Sequence, residues 1–183
     1  DKSNSIFVSQ GGDDAAAGDT PQAAVLTLER AYRQAELLGR THILMTRNAH
    51  PQERTVTLRS GVSIFGGYSP DFTTRGGRTV LDVEDAQNGM VVSGLNAPVT
   101  VQSVSIKTDD VENGAPEGRY GLWVENAGQH LRLEDVEIVA GRGGDGVPGA
   151  SGMEGADGDN GPNASGSQGG TDDGNGGNGG SGV

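Results

Sequence analysis

GMVVSGLNAPVTVQSVSIK (89–107) and GLWVENAGQHLRLEDVEIV (121–139) align without a gap at an offset of 32 residues. Gly89 meets Gly121, Val92 meets Val124, Val104 meets Val136 and Ile106 meets Ile138. Apolar residues also coincide at Met90/Leu122, Val91/Trp123, Val99/Leu131 and Val101/Leu133. Within each copy two alternating apolar runs meet at a break that shifts the phase by one, at Gln102-Ser103 and Glu134-Asp135. Alternation of period two marks a strand with one buried face. A hairpin would need a reversal pair such as Asn-Gly at the break, and neither pair suits one. A bend that keeps the same winding direction fits better, with equivalent strands stacked about 4.8 Å apart. Each buried aliphatic side chain contributes roughly 1.5–3 kcal/mol, and one copy alone cannot bury its inner face. The pattern predicts an all-β fold, a right-handed parallel β-helix or solenoid. Residues 108–118 exceed what the strands require and read as a polar, acidic projecting loop.

Upstream, residues 5–9 (SIFVS) read as a short strand and residues 11–19 as a polar turn segment. Thr20-Pro21 carries N-cap and first-turn chemistry. Val25, Leu28, Tyr32, Ala35 and Leu38 then recur at spacings of three and four, so a helix with one apolar face is predicted over about 20–38. Gly39 suits its left-handed C-terminal cap. Such a helix would cover the apolar end and unpaired edge of the first strands. No comparable cap is visible after Ala140, so an open end is expected near residues 136–140. Further strands are predicted at 41–46, 55–59 and 61–66.

Composition narrows the function classes. The chain has 33 glycines in 183 residues, and 18 of them lie in the last 43, which separates a near-normal domain (1–140) from a glycine-rich tail (141–183). The formal charge of -12 argues against nucleic acid, whose phosphates need clustered Lys and Arg. It argues equally against an anionic membrane surface and leaves cation binding open. The absence of cysteine excludes disulfides, thiolate metal sites and Cys nucleophiles. No apolar run approaches the length of a membrane-spanning helix. The sequence opens on Asp1, so a processed product is expected, with any export signal out of view.

IFVSQGGDD (6–14), the Thr-Pro helix start and SGVSIFGGY (60–68) together resemble the opening of right-handed parallel β-helix proteins of the pectin-lyase-like class. More narrowly, they resemble large surface or secreted proteins of Gram-negative bacteria. The resemblance spans about residues 5–140. It implies a β-helix with a capping helix and an extracellular, cell-surface location. It does not imply lyase activity.

Residues 146–163 form six uninterrupted Gly-x-y triplets. Three readings stand beside one another: a flexible linker, a collagen triple helix, and polyproline-II-like extended strands packed side by side through their glycine edges. Only Pro148 and Pro162 fall in the triplets, below the roughly 15–20% prolyl content of collagen.

Few residues read as chemistry. Residues 141–146 (GRGGDG) match G-x-G-x-x-G after a strand, but Pro148, Gly149 and Gly152 forbid the helix a dinucleotide site needs. Asp82, Asp85, Asp109, Asp110, Glu125, Asp135 and Glu137 read as a solvated acidic face. Asp157 and Asp159, beside Asn160 and Gly161, are candidate calcium ligands, without the later Glu of an EF-hand. His42, His50 and His130 lack metal-ligand spacing, and no Ser lies in a Gly-x-Ser-x-Gly elbow. Asn163-Ala-Ser165 matches an N-glycosylation acceptor. Trp123, opposite Val91, reads as a packing residue. The expectation is a non-enzymatic extracellular structural or adhesive protein with no catalytic or cofactor-binding residues. It would act by self-association or contact with another surface, and fibre assembly extends that reading. The alternative is a carbohydrate-binding or polysaccharide-degrading module.

Overall fold

A computed structural model of the chain describes residues 2–84, 86–111, 118–146, 148–153 and 155. The chain divides into two units, Asp1–Pro148 and Gly149–Val183. The described residues of the second unit carry no helix or strand.

The first unit contains β1 (Ser5–Val8), α1 (Leu28–Leu38), β2 (His42–Thr46), β3 (Ala49–Gln52), β4 (Val56–Thr57), β5 (Ser63–Tyr68), β6 (Thr79–Val83), β7 (Asn88–Ser93), β8 (Val99–Thr108), β9 (Tyr120–Glu125) and β10 (Leu131–Val139). The strands pair in parallel in two sheets. One runs β1-β2-β5-β8-β6-β3 with β10 added on β8, and the other runs β4-β7-β9. The 32-residue self-match is realised as pairing. Val104 lies opposite Val136 and Ile106 opposite Ile138, and Met90 lies opposite Leu122.

The all-β solenoid is corrected. The class is mixed α/β: parallel-strand sheets curled into a half-barrel, with one α-helix. Leu28, Ala31, Tyr32 and Ala35 of α1 belong to the same apolar cluster as Ile6, Ile43, Ile64, Val101 and Ile106 of the strands. The helix packs on β1 and β2 and shares the core of the sheets. The repeat also does not extend through the unit. His42 pairs with Ser63, 21 positions on. Ile64 pairs with Val101, 37 positions on, and Thr79 pairs with Val104, 25 positions on. Only β7–β9 and β8–β10 share the offset of 32.

The helix begins later than its sequence signals imply. Thr20 caps a short 3-10 turn, Pro21–Ala23, accepting from the Ala23 N–H at 3.2 Å. The chain then runs extended because Val25 bonds to the β1 backbone. Val25 N donates to Phe7 O at 2.9 Å, and Ser9 N donates to Val25 O at 3.0 Å. Thr27 is the N-cap of α1, accepting from Arg30 N. Gly39 ends it in the left-handed region at φ 63°, as expected. Strand β3 carries no alternating signal and was not expected. Its Pro51 lacks a donor, which suits its place at the end of the sheet order.

The two phrases that carry the family resemblance have steric explanations. A Cβ on Gly12 would lie 2.3 Å from Val25 O, and one on Gly66 would lie 2.3 Å from Ser103 O. Both glycines admit a backbone carbonyl that no side chain would clear. A second, aromatic cluster holds Phe7, Leu44 and Phe72, with Phe65 and Tyr68 against it. Phe7 meets Phe72 edge-on at 5.0 Å. The expected bend sits at equivalent points of β8 and β10, where Ser103 and Asp135 adopt φ of 54° and 50°.

Candidate interaction edge

The two ends of the first unit are built differently. At β1 the backbone is occupied by residues 18–25, through Phe7 N donating to Gly18 O at 2.8 Å and the two Val25 bonds already described. Asp14 fixes this segment to the helix start. Its carboxylate accepts from Leu26 N, Thr27 N and the Thr27 hydroxyl at 2.9, 2.9 and 2.7 Å. Burial raises the Asp14 pKa, but the Thr27 and Leu26 hydrogen bonds and the nearby Arg30 outweigh it, and the group is held below 3.8.

At the other end nothing comparable is seen among the described residues. β10 pairs only with β8, and β9 only with β7. Each core-facing row is sealed where another strand follows and opened at the last one. Val92, Val101 and Ile106 are 0% exposed, whereas their partners Val124, Leu133 and Ile138 are 46, 40 and 46% exposed. Trp123 takes its expected register opposite Val91 but is half-exposed. It stands edge-on to Tyr120 at 5.4 Å.

The outward face of this edge is acidic. Gln102 Nε2 donates to Glu134 Oε2 at 2.7 Å, and Ser105 Oγ donates to Glu137 Oε2 at 3.0 Å. Both links join positions 32 apart. Arg78 grips Asp135 Oδ1 through Nη2 and Nε at 2.6 and 3.0 Å and reaches Glu137 at 3.8 Å. The hydroxyl of Ser103, then Arg78, hold the Asp135 carboxyl below 3.8. Arg132 pairs with Glu134. Past β10 side chains take over from the ladder: Gly141 N donates to Thr108 Oγ1 at 2.9 Å and Arg142 N to Asp110 Oδ1 at 2.6 Å, with one backbone bond, Val111 N to Arg142 O at 2.8 Å.

A concavity of about 640 Å³ lies between α1 and the β3–β4 segment, lined by Thr27, Glu29, Tyr32, His50, Arg54 and Arg59 among others. His50 is buried, its Nε2 within 3.1 Å of Thr46 O. Burial holds its pKa below 6.5, partly opposed by that contact. Burial also pushes the Tyr32 phenol up, and the Arg59 guanidinium lies 5.1 Å over its ring.

The remaining sequence candidates are dispersed. Asp82 meets Lys107 at 3.2 Å, and Asp135 and Glu137 are taken by Arg78. Asp110 serves the Arg142 backbone, and no described contact joins these carboxylates into a pair. His42 sits in β2 as expected, edge-on to Phe65 at 5.3 Å. Residues 141–146 precede no helix among the described residues. Asp85 and the calcium candidates Asp157 and Asp159 lie outside the described residues. Among the described residues no three His, Asp or Glu side chains are grouped to hold a metal ion. No helix there is long and apolar enough to cross a membrane.

Compared with family models, curated proteins and solved structures, the chain matches none. The Asp14 clamp escapes sequence reading, because an Asp thirteen positions before a helix N-cap has no recognisable spacing. The open end expected near residues 136–140 is found at β10, and β9 shares it.

Proposed function

We propose that this chain is a non-enzymatic structural or adhesive module of an exported, cell-surface protein, acting through its β9/β10 edge by association with another strand-bearing surface. One observation carries the reading: Val124, Leu133 and Ile138 occupy core-facing rows yet remain 40–46% exposed, on strands that no further strand pairs among the described residues. An open sheet edge is a template for strand addition. The exported location rests on the family resemblance of residues 6–14 and 60–68. Sedimentation across a wide concentration range, with and without candidate surface proteins, tests the association. Complexes or oligomers in which residues 131–139 gain amide protection support it. Unchanged exchange at those residues in every mixture overturns it.

The half-exposed Tyr120–Trp123 pair favours a second reading, a carbohydrate-binding module, because aromatic faces stack on sugar rings. A glycan screen monitored by fluorescence of Trp123, the one tryptophan in the chain, separates the two.

A further inference from the structure

We propose that the β10 edge accepts a basic extended strand from a partner protein, and not a second copy of this chain. The inference rests on the strand-addition reading above and narrows its occupant. Three features select that occupant.

The first is charge. β9 and β10 carry Glu125, Glu134, Asp135 and Glu137 against Arg132 alone. Arg78 reaches two of these acids from β6's flank, and the whole chain stands at -12. A two-fold pairing of β10 with itself would set Glu134, Asp135 and Glu137 of each copy near their counterparts, and like charges facing one another across strands are unfavourable. The second is the occupied β1 edge. A head-to-tail stack of β10 on β1 would have to displace the backbone of residues 18–25. The third is the register between β8 and β10, which defines what a next strand must present. Apolar side chains belong beside Leu133, Val136 and Ile138, continuing the rows of Val101, Val104 and Ile106. Hydrogen-bond donors belong beside Glu134 and Glu137, whose neighbours on β8 are the donors Gln102 and Ser105. A residue that tolerates positive φ belongs beside Asp135, because Ser103 and Asp135 both adopt it. The resulting partner motif reads apolar, polar, apolar, Lys or Arg, Asn or Gly, apolar, Lys or Arg, apolar.

The test titrates the full chain with a Val-Thr-Val-Lys-Asn-Val-Lys-Ile peptide and with the same peptide carrying Glu for both Lys. Trp123 fluorescence, peptide anisotropy and amide exchange over 131–139 are the readouts. The Lys peptide is expected to bind at least about tenfold more tightly, because two cross-strand charge pairs change sign. Raising salt from 0.05 to 0.5 M should weaken it several-fold. The double variant Glu134→Lys/Glu137→Lys, with folding checked by its urea midpoint, should invert the preference. Equal binding of both peptides, or no inversion in the double variant, overturns the charge selection while leaving strand addition intact. Self-association at low salt without peptide binding overturns this inference and supports the broader reading. Absence of both peptide binding and any partner or self-association removes the two together.

Discussion

Ile106 and Ile138 provide an internal control for the open edge, since they occupy the same core-facing row in adjacent paired strands. Ile106 is 0% exposed and Ile138 is 46% exposed. Truncation to alanine removes three carbon groups, worth about 0.8 kcal/mol each when fully buried, or about 2.4 kcal/mol. At Ile106 the enclosed cavity adds to this, so Ile106→Ala is expected to cost about 3–4 kcal/mol. At Ile138 about half the transfer term applies and no closed cavity forms, so Ile138→Ala should cost about 1 kcal/mol. With a urea m-value of about 2 kcal/mol/M for a unit of this size, midpoints should fall by about 1.5–2 M and about 0.5 M. Measurements at several protein concentrations complete the assay. Costs equal within about 0.5 kcal/mol would show that Ile138 is covered in solution, and the open-edge argument would fail. A cost at Ile138 that grows with concentration would identify a second copy as the cover and refute the choice of a basic partner.

Three further outcomes follow from the geometry. Gly66→Ala should destabilise by about 1–3 kcal/mol in the same denaturation assay, because its methyl meets the backbone carbonyl of Ser103 and no side chain can yield to it. Asp14→Ala should cost about 0.5–1.5 kcal/mol by removing the acceptor of the exposed Leu26 and Thr27 amides, which water replaces in part. Because the folded Asp14 pKa is depressed, its contribution is present above 3.8 and is lost as pH falls toward the folded value, so the variant should show a shallower acid limb in a pH series of urea melts. His50 is likewise depressed: the fold holds it neutral and the unfolded chain binds the proton first, so stability should decline as pH drops below 6.5, and His50→Gln should flatten that decline.

Legibility in the sequence follows the range of the forces involved. The pairing of Val104 with Val136 was legible because identical apolar spacing in two segments is a local signal that parallel stacking preserves. The same signal misled when extended to the whole chain. Registers at His42–Ser63 and Ile64–Val101 follow other offsets, set by where loops return and not by a repeat. Thr20 and Pro21 do perform their capping chemistry, but on a single 3-10 turn, because bonding of Val25 to β1 outweighs continuation of the helix. β3 gave no signal because Ala49, His50, Pro51 and Gln52 lack β-branched residues and alternation. Of the candidate edge, the apolar rows and an open end near residues 136–140 were readable, whereas the exposure of Val124 on β9 was not.

The contrast between the ends gives the edge its direction. Asp14 binds the helix start to the segment lying on β1, with three hydrogen bonds from one carboxylate. That closes the β1 edge with the chain's own backbone, while among the described residues the aliphatic rows open at β9 and β10. An acidic surface at that outlet treats the two occupants oppositely: it repels another molecule of this chain and attracts a cationic strand. Charge acts over roughly a Debye length of 8–10 Å at moderate salt, whereas the apolar rows act only on contact. The acids therefore govern which strand arrives, and Leu133, Val136 and Ile138 govern how firmly it stays. It follows that substitutions at Glu134 and Glu137 should alter association rates and their salt dependence, and truncation of Leu133 or Ile138 should alter dissociation.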